Sequence, residues 1–561
     1  MRRPILVLLS LLLVLASPPA AGAKRAPVGT SGARPPRLVV VVAVDGLSWG
    51  RLEAWRPWFT SGLKRLLDEG AVATACRYPH LDTETGPGHA SIATGAPPRV
   101  HGIALNQWYV PATDGRSMTT EYCAIDASPR FLRVPTLGDA LVTAQPRAKV
   151  VSISVKDRSA IFLAGRDPRH AVYWYVPKDG TFTTSGAYEA ASPTGRAAAA
   201  VVARFNATKA GAHIAERYGS TVPRLPVPSP PPTPVSDEGI EPYQDAIVGR
   251  FPMDLTKARK PLTVVLPWTT LADRLLVDLG LDLVADDALG LGRDDDPDLL
   301  AISFSANDYA SHYYGPESVE TLEVLRGLDV ALGRLLDALS ARFGRDAIDV
   351  VLSADHGMLP LPEDARAGGV PALRIKDTKI VAALNAAVDA RLGLDAGAAP
   401  VYRLEGSFLW LDRAWLAKPG APDAAKVLAA VRDELARTWK DAIERTIVVG
   451  DPFPPIGDDA TLARAWNALV PGRCGDLFVI ARPGVLIDPY DGTGTSHGTP
   501  WDYDTHVPLI YWGGGIAPAT LAQPSTPYDI APTVASWIGV SLPQATGTRM
   551  DVRVSAGRPP R

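Results

Sequence analysis

The sequence predicts an α/β protein with a mostly parallel sheet, helices on both faces of the sheet and inserted subdomains that cap it. Three observations predict this fold: four largely continuous apolar runs, helical periodicity between them, and ionisable residues within a few positions after each run. The 561 residues are 46% hydrophobic and 21% charged, as in ordinary globular proteins. A formal net charge of −3 argues against a protein that binds nucleic acid.

The first 23 residues are predicted to be an export signal. Arg2 and Arg3 precede the apolar run Ile5–Ala16, and Ala21-Gly22-Ala23 matches a cleavage site with small residues. The run is too short for a membrane anchor, which needs roughly 20 apolar residues. We therefore expect an exported protein, periplasmic or secreted, with no stable membrane anchor. The arginine pair leaves both general secretory and twin-arginine export open.

Buried parallel strands are expected where the apolar runs do not alternate with polar residues. The four runs are Leu38–Val44, Lys149–Val155, Leu299–Phe304 and Ile348–Ala354. Leu271–Leu283 reads as a helix, and the leucines after Pro316 recur at helical spacing. Strands that alternate with helices favour a sheet covered by helices on both faces.

Two regions are predicted to be insertions in this sheet. The first, 176–265, contains a connector, Val222–Val235, with seven prolines in fourteen residues. The second, 365–486, contains two helical segments (Ile380–Leu392 and Ala424–Lys440) and one apolar run (Leu477–Ala481). The predicted division is a signal peptide at 1–23, catalytic core at 37–175, 266–364 and 487–555, and insertions at 176–265 and 365–486.

Polar residues follow each predicted strand at its carboxyl end, where open α/β sheets bind their ligands. They are Asp45 after the first run, Lys156 and Arg158 after the second, Asp308 and His312 after the third, and Asp355 and His356 after the fourth. A single acid in such a place is often only a helix cap. Four strands with ionisable groups at the same edge predict one shared site.

This set of side chains predicts a metal site. Three carboxylates at one edge repel each other unless cations neutralise them or they bind protons. His312, His356 and the distant His497 add imidazole nitrogens, whereas three cysteines are too few for a thiolate zinc site. Carboxylate and imidazole ligands favour zinc, with manganese and iron as alternatives, and their number suits two ions about 4 Å apart. Gly357 is expected to let the chain turn so that Asp355 and His356 both face the ions.

Thr85 is the candidate nucleophile. Pro87 suits the first turn of a helix, which places the Thr85 hydroxyl at the positive helix end, where an oxyanion is favoured. A nearby metal would lower the pKa of this hydroxyl. The alternative is that Thr85 is only a helix N-cap.

In this order, the motifs resemble the alkaline phosphatase superfamily, and most closely the phosphate-irrepressible bacterial alkaline phosphatases that use threonine. The motifs are Asp45-Gly, Thr-x-Thr85-x-Pro-x-His, Lys156-x-Arg158, Asp308-x-x-x-His312, Asp355-His356-Gly and His497-Gly. The resemblance implies one zinc on Asp308, His312 and His497, and a second on Asp45, Asp355, His356 and the nucleophile Thr85. It also implies that Asn106, Lys156 and Arg158 bind the phosphoryl group, and that a phosphothreonine forms during hydrolysis of small-molecule phosphate monoesters. His506 is expected to be a supporting or structural residue.

Other functions remain as alternatives. The nearest is a phosphodiesterase or nucleotide pyrophosphatase on the same metal core. Lys156 and Arg158 favour the monoesterase, because a monoester brings an extra charge and an extra free oxygen. A sulfatase would need a Cys-x-Pro-x-Arg motif, where this chain has Thr85-Gly-Pro-Gly-His. A phosphonate hydrolase and a non-catalytic exported binding protein are weaker alternatives, and the natural substrate and oligomeric state stay open.

Overall fold

The computed structural model describes residues 35–188, 192–223, 252–395, 397–450, 452–490 and 494–553. The predicted export signal and residues 224–235 of the proline-rich connector lie outside them. Within these ranges, no helix combines the length and apolar character needed to cross a membrane.

A nine-stranded sheet forms the centre of the molecule. Its strands are β1 (Leu38–Val44), β2 (Ala71–Ala73), β3 (Val150–Ser154), β4 (Ala171–Val176), β5 (Thr181–Thr183), β6 (Asp298–Phe304), β7 (Ile348–Ser353), β8 (Leu509–Gly513) and β9 (Ala519–Leu521). They lie in the order β9-β2-β8-β7-β1-β6-β3-β4-β5. The block from β7 to β4 is parallel, whereas β8 runs antiparallel to β7 and β5 antiparallel to β4.

The four predicted strands are neighbours in this sheet and differ from the predicted bounds by at most one residue at each end. Every residue of β1, β3, β6 and β7 is buried, so both faces of the sheet are covered. This explains the continuous apolar runs. Val44 pairs with Phe304, and Ala43 with Ser353, so these strands end at one edge.

Helices connect and cover these strands. The helices of the described chain are Trp49–Trp55, Gly62–Glu69, Thr85–Thr94, Pro98–His101, Leu137–Ala144, Asp157–Ala164, Pro193–Thr208, Ile214–Tyr218, Leu262–Val265, Thr270–Ala285, Ala306–Tyr314, Val319–Phe343, Pro362–Ala367, Asp377–Leu392, Arg413–Leu416, Ala424–Thr438, Ala460–Ala468, Asp502–Thr505 and Ile530–Ile538. The leucine stripe predicted after Pro316 lies on Val319–Phe343 and is buried. Thr270–Ala285 matches the helix predicted at Leu271–Leu283, and the side chain of Thr269 caps its first turn.

A second sheet is formed by residues between 401 and 481. Its strands Val401–Glu405, Phe408–Leu411, Leu477–Ala481 and Ile443–Val448 pair antiparallel in that order. The helices Asp377–Leu392 and Ala424–Thr438 share a hydrophobic cluster with this sheet. Shorter pairs join Leu373–Lys376 with Val485–Asp488, Gln107–Pro111 with Met118–Tyr122, and Thr221–Val222 with Met253–Asp254.

Candidate active site

The carboxyl ends of β1 and β6 bring the first two acids together. Asp45 follows β1, and Gly46 has φ +73°, which turns the chain sharply. A Cβ at Gly46 would lie 3.1 Å from Asp308 Cα, so the backbones of these two segments are close. Asp308 and His312 lie one turn apart on the helix Ala306–Tyr314, and Asp308 Oδ1 is 3.3 Å from His312 Nε2.

Two overlapping groups of side chains could each hold a metal ion. One group is Asp308, His312 and His497, and the other is Asp45, Asp308 and His356, with ligand atoms within 4.8 Å of one another in each group. Asp355 lies beside the second group, with Oδ2 3.5 Å from His356 Nε2. The six side chains singled out in the sequence therefore meet at one place, although their roles as ligands stay a prediction.

Each of the three histidines is held by a backbone carbonyl. Nδ1 of His312 donates to Thr495 O at 2.7 Å, Nδ1 of His356 to Gly357 O at 2.8 Å, and Nδ1 of His497 to Thr83 O at 2.7 Å. With the proton on Nδ1, Nε2 keeps a lone pair directed to the acids. Such carbonyl partners are typical of metal-binding histidines, whose tautomer and orientation they fix.

Several buried polar atoms in this cluster make no hydrogen bond. They include Asp45 Oδ1, Asp308 Oδ1, Asp355 Oδ2 and His356 Nε2. Burying polar atoms without partners is costly unless a cation coordinates them. The donor set of carboxylate oxygens and imidazole nitrogens fits a divalent ion such as zinc.

Lys156 lies between two of the acids. Its Nζ is 2.6 Å from Asp45 Oδ2 and 2.5 Å from Asp308 Oδ2. Burial raises the pKa of Asp45 well above its usual value, and Asp308 and Asp355 raise it further. Burial also opposes ionisation of Asp308, but Lys156 and His312 hold the pKa of Asp308 well below its usual value. Positive charge therefore allows Asp308 to ionise, whereas burial and the neighbouring acids keep the pKa of Asp45 raised.

Thr85 is the first residue of the helix Thr85–Thr94, and the N-cap is Glu84. The Thr85 hydroxyl makes no capping bond. Its Oγ1 lies 3.4 Å from Lys156 Nζ and 3.5 Å from Arg158 Nη2. The hydroxyl thus lies between two cations at the amino end of a helix, as expected for a group that reacts with an anion.

The two other predicted substrate-binding residues lie beside Thr85. Asn106 Oδ1 accepts a hydrogen bond from Gly86 N at 2.8 Å, and Asn106 N donates to Glu84 Oε2 at 2.5 Å. Burial raises the pKa of Glu84 to about 7. Arg158 Nη1 donates to the Tyr122 hydroxyl at 3.3 Å, and that hydroxyl donates to Asp157 Oδ1 at 2.7 Å. Sequence reasoning missed Glu84 and Tyr122, since neither belongs to a motif with metal-ligand spacing.

The structure gives a reason for glycine at position 357 other than a turn with positive φ. Gly357 is absent from the residues with positive φ, so it makes no left-handed turn. A Cβ there would lie 2.0 Å from Tyr503 O, and Gly357 N donates to Asp504 O at 2.7 Å. Glycine is needed because a second backbone segment lies against it. His506 belongs to neither ligand group, and its Nε2 lies 2.9 Å from Thr74 O.

A cavity of about 430 Å³ opens over Thr85. Residues of the core that line this cavity are Thr85, Asn106, Lys156, Arg158, Asp308, His312 and His497. Residues of the second sheet that line it are Arg403, Glu405, Ser407 and Val479. This volume suits a small-molecule ligand. Both the central sheet and the second sheet therefore form the cavity.

Known proteins resemble the chain over most of its length. The family model described as "Type I phosphodiesterase / nucleotide pyrophosphatase" matches residues 39–506. Alkaline phosphatase PhoK of Sphingomonas sp is 30% identical over 533 residues, 91% of this chain and 90% of the relative. Alkaline phosphatase PafA of Elizabethkingia meningoseptica is 29% identical over 537 residues, 91% of this chain and 92% of the relative.

The fold resembles that of a solved enzyme. The crystal structure of wild-type alkaline phosphatase PafA superposes with a TM-score of 0.82 at 26% identity, covering 92% of this chain and 99% of the other. Fold, motif order and sequence similarity thus agree. The chain belongs to the type I phosphodiesterase / nucleotide pyrophosphatase family and, within the alkaline phosphatase superfamily, to the phosphate-irrepressible alkaline phosphatases.

Proposed function

We propose that this alkaline phosphatase is exported and hydrolyses phosphate monoesters at a two-zinc site through a phosphothreonine intermediate. The observation that carries the proposal is the position of Thr85 Oγ1, at a helix amino end, within 3.5 Å of Lys156 and Arg158. The overlapping ligand groups beside it support the metal site. The similarity to PhoK and PafA supports the reaction class.

The proposed ligands divide into two sets. Asp308, His312 and His497 would hold one zinc, and Asp45, Asp355, His356 and Thr85 the second. When bound, the zinc pair would supply positive charge that lowers the pKa of the Thr85 hydroxyl and stabilises the departing oxygen. Asp308 lies in both groups, which favours two neighbouring ions over two distant ones.

The chain's own residues bind and orient the phosphoryl group. The Asn106 side-chain amide and the Arg158 guanidinium donate to its free oxygens, and Lys156 adds a positive charge. Thr85 Oγ1 attacks phosphorus in line, so that the bond from phosphorus to the ester oxygen breaks and phosphothreonine forms. Water then attacks phosphorus from the face that the ester oxygen left, opposite Thr85, so that the bond from phosphorus to Thr85 Oγ1 breaks, inorganic phosphate is released and the Thr85 hydroxyl is restored. Positioning and charge stabilisation account for most of the rate.

A phosphodiesterase or nucleotide pyrophosphatase activity is the second candidate, because the matching family model carries that description. A diester has one charge and a second organic group, so it gains less from two cations beside Thr85. The two candidates therefore differ in which substrate Lys156 and Arg158 stabilise.

The first prediction separates these candidates. At saturating zinc, a nitrophenyl phosphate monoester should be hydrolysed with a higher kcat/KM than the matching bis-nitrophenyl diester. Metal analysis of the same preparation should find two zinc ions per chain. A diester that is turned over faster under these conditions would contradict the monoesterase assignment.

Export rests on the first 23 residues and has its own test. The full chain made in a bacterial host should be recovered outside the cytoplasm with Lys24 as its first residue, as found by mass spectrometry. Full-length protein that stays in the cytoplasm would overturn this part of the proposal.

A further inference from the structure

Asp82 occupies a strained and fully buried position three residues before Thr85. It is 0% exposed and has φ +58°, a left-handed conformation that few residues other than glycine adopt. Its Oδ1 is buried without a hydrogen bond. A non-glycine residue in this backbone conformation costs of order 1 kcal/mol or more in free energy of folding. It persists only where the surrounding structure imposes it.

The hydrogen bonds around Asp82 join three segments that are distant in sequence. Asp82 Oδ2 accepts from Ser407 N at 2.8 Å, and Ser407 Oγ donates to Gly498 O at 2.9 Å. His497 Nδ1 in turn donates to Thr83 O at 2.7 Å. The segment before the nucleophile, a turn of the second sheet and the loop with His497 thus form a closed ring of contacts.

Two glycines allow these backbones to approach Asp82. A Cβ at Gly406 would lie 2.5 Å from Asp82 Oδ2, and a Cβ at Gly498 would lie 2.5 Å from Asp82 Oδ1. Both glycines also have positive φ, +56° and +108°. Any other residue at either position would push the turn or the loop away from Asp82.

We infer that Asp82 is a positioning residue for the metal ligand His497, and that the second sheet completes the metal site through Ser407. This inference rests on the zinc site of the proposed function. His497 lies on a loop, whereas its partners Asp308 and His312 lie on one helix. The position of this loop therefore depends on contacts with other segments, and the hydrogen bonds of the ring through Asp82 supply them.

Loss of such an outer contact typically weakens metal binding 10- to 100-fold. In the Asp82→Gly variant the backbone keeps its conformation without strain, but the acceptor for Ser407 N is lost. We expect one of the two zinc ions to be released to a chelator at about 10- to 100-fold lower chelator concentration than in the wild type. Asp82→Asn keeps an acceptor oxygen and tolerates positive φ, so it should restore most of the zinc affinity.

The measurement is chelator competition on purified holoenzyme, followed by kinetics in excess zinc. Excess zinc should return kcat of Asp82→Gly close to the wild-type value, with KM little changed. Ser407→Ala removes only the hydrogen bond to Gly498 O. It should lower the affinity for the same zinc ion by less than Asp82→Gly does. It serves as the second variant if Asp82→Gly does not fold.

Asp329→Asn is the matched control. Asp329 is also a buried carboxylate that accepts from backbone amides, those of Thr60, Ser61, Leu63 and Lys64, but it belongs to neither ligand group. It should lower thermal stability without loosening zinc. The inference is overturned if both Asp82→Gly and Ser407→Ala bind zinc as tightly as the wild type. It is also overturned if Asp329→Asn lowers zinc affinity as much as Asp82→Gly does. In either case the proposed function stands. A wild-type enzyme without zinc overturns both.

Discussion

Asp308 is the residue on which the site is centred. Its carboxylate lies in both ligand groups, contacts Lys156 with Oδ2 and faces His312 with Oδ1. A carboxylate has two oxygens and can serve two cations at once. One acid, on the first turn of the helix after β6, therefore contacts Lys156 and His312 and belongs to both candidate ligand groups.

Thr85 carries the second prediction. Thr85→Ala should lower kcat for phosphate monoesters by roughly 10³-fold or more, because it removes the hydroxyl that lies at the helix amino end between Lys156 and Arg158. The circular dichroism spectrum should match that of the wild type, and zinc content should stay near normal. Both are measured on the same preparation as the kinetics.

Thr83→Ala is the control for this variant. Its hydroxyl is buried and makes no hydrogen bond, so its loss should leave activity largely intact. Full activity in Thr85→Ala together with loss in Thr83→Ala would move the nucleophile to Thr83.

The helix Thr85–Thr94 sets the distance between Thr85 and Asp355, the acid that follows β7. Every residue of this helix is buried. A Cβ at Gly88 would lie 2.5 Å from both Asp355 Cβ and Asp355 O, so helix and strand end are in direct contact. A glycine in the middle of a helix lowers its stability, and here it allows this close packing.

Gly88→Ala gives a third prediction, at the level of this element. The added methyl group cannot be accommodated by a flexible side chain, so the helix must shift away from Asp355. We expect weaker zinc binding and a lower kcat, measured by metal titration and monoester kinetics. The shift moves the nucleophile relative to the ligands, so excess zinc should restore kcat only in part.

Gly50→Ala is the control, because a Cβ at this helical position meets nothing within 4 Å. It should leave kcat and zinc affinity unchanged and raise stability by roughly 0.5–1 kcal/mol. Wild-type kinetics in Gly88→Ala would show that the contact does not set the geometry of the site.

The molecule as a whole buries several carboxyl groups whose pKa values rise on folding. Burial raises the pKa of Asp504 from 3.8 to about 7, although Thr499 donates to it from both backbone and hydroxyl. Burial also raises the pKa of Asp298 to about 6. The folded state binds these protons more tightly than the unfolded state. Their stabilising contribution is therefore complete below about pH 4 and is lost as the pH rises to about 7.

Asp504→Asn tests the predicted loss of stability with rising pH in the zinc-free protein. An amide cannot ionise, so the variant should gain stability relative to the wild type as the pH rises from about 4 to about 7, by a few kcal/mol at most. Urea unfolding of chelator-treated protein at both ends of this range measures the difference. A difference that does not change with pH would show that Asp504 is not protonated in the fold.

Local sequence pattern predicted the central strands and most of the side chains in the site. Continuous apolar runs indicate buried parallel strands, and their carboxyl ends share one edge, so Asp45, Asp308, Asp355 and His356 could be placed together. The Asp308–His312 spacing is one helical turn, which is also local information. These features can be predicted from the residues within a few positions of each site.

Other features depend on which segments meet. Strands such as Phe408–Leu411 were not predicted, because short runs within the second insertion carry no clear period. The position of Lys156 between two acids, the Tyr122 contact to Arg158 and the ring through Asp82 all join residues that are far apart in sequence. Sequence alone thus determined the four central strands, their ends and the kinds of side chain at the candidate site. Tertiary structure decided their distances and supports, because long-range contacts form only when sheet order and loop closure bring distant segments together.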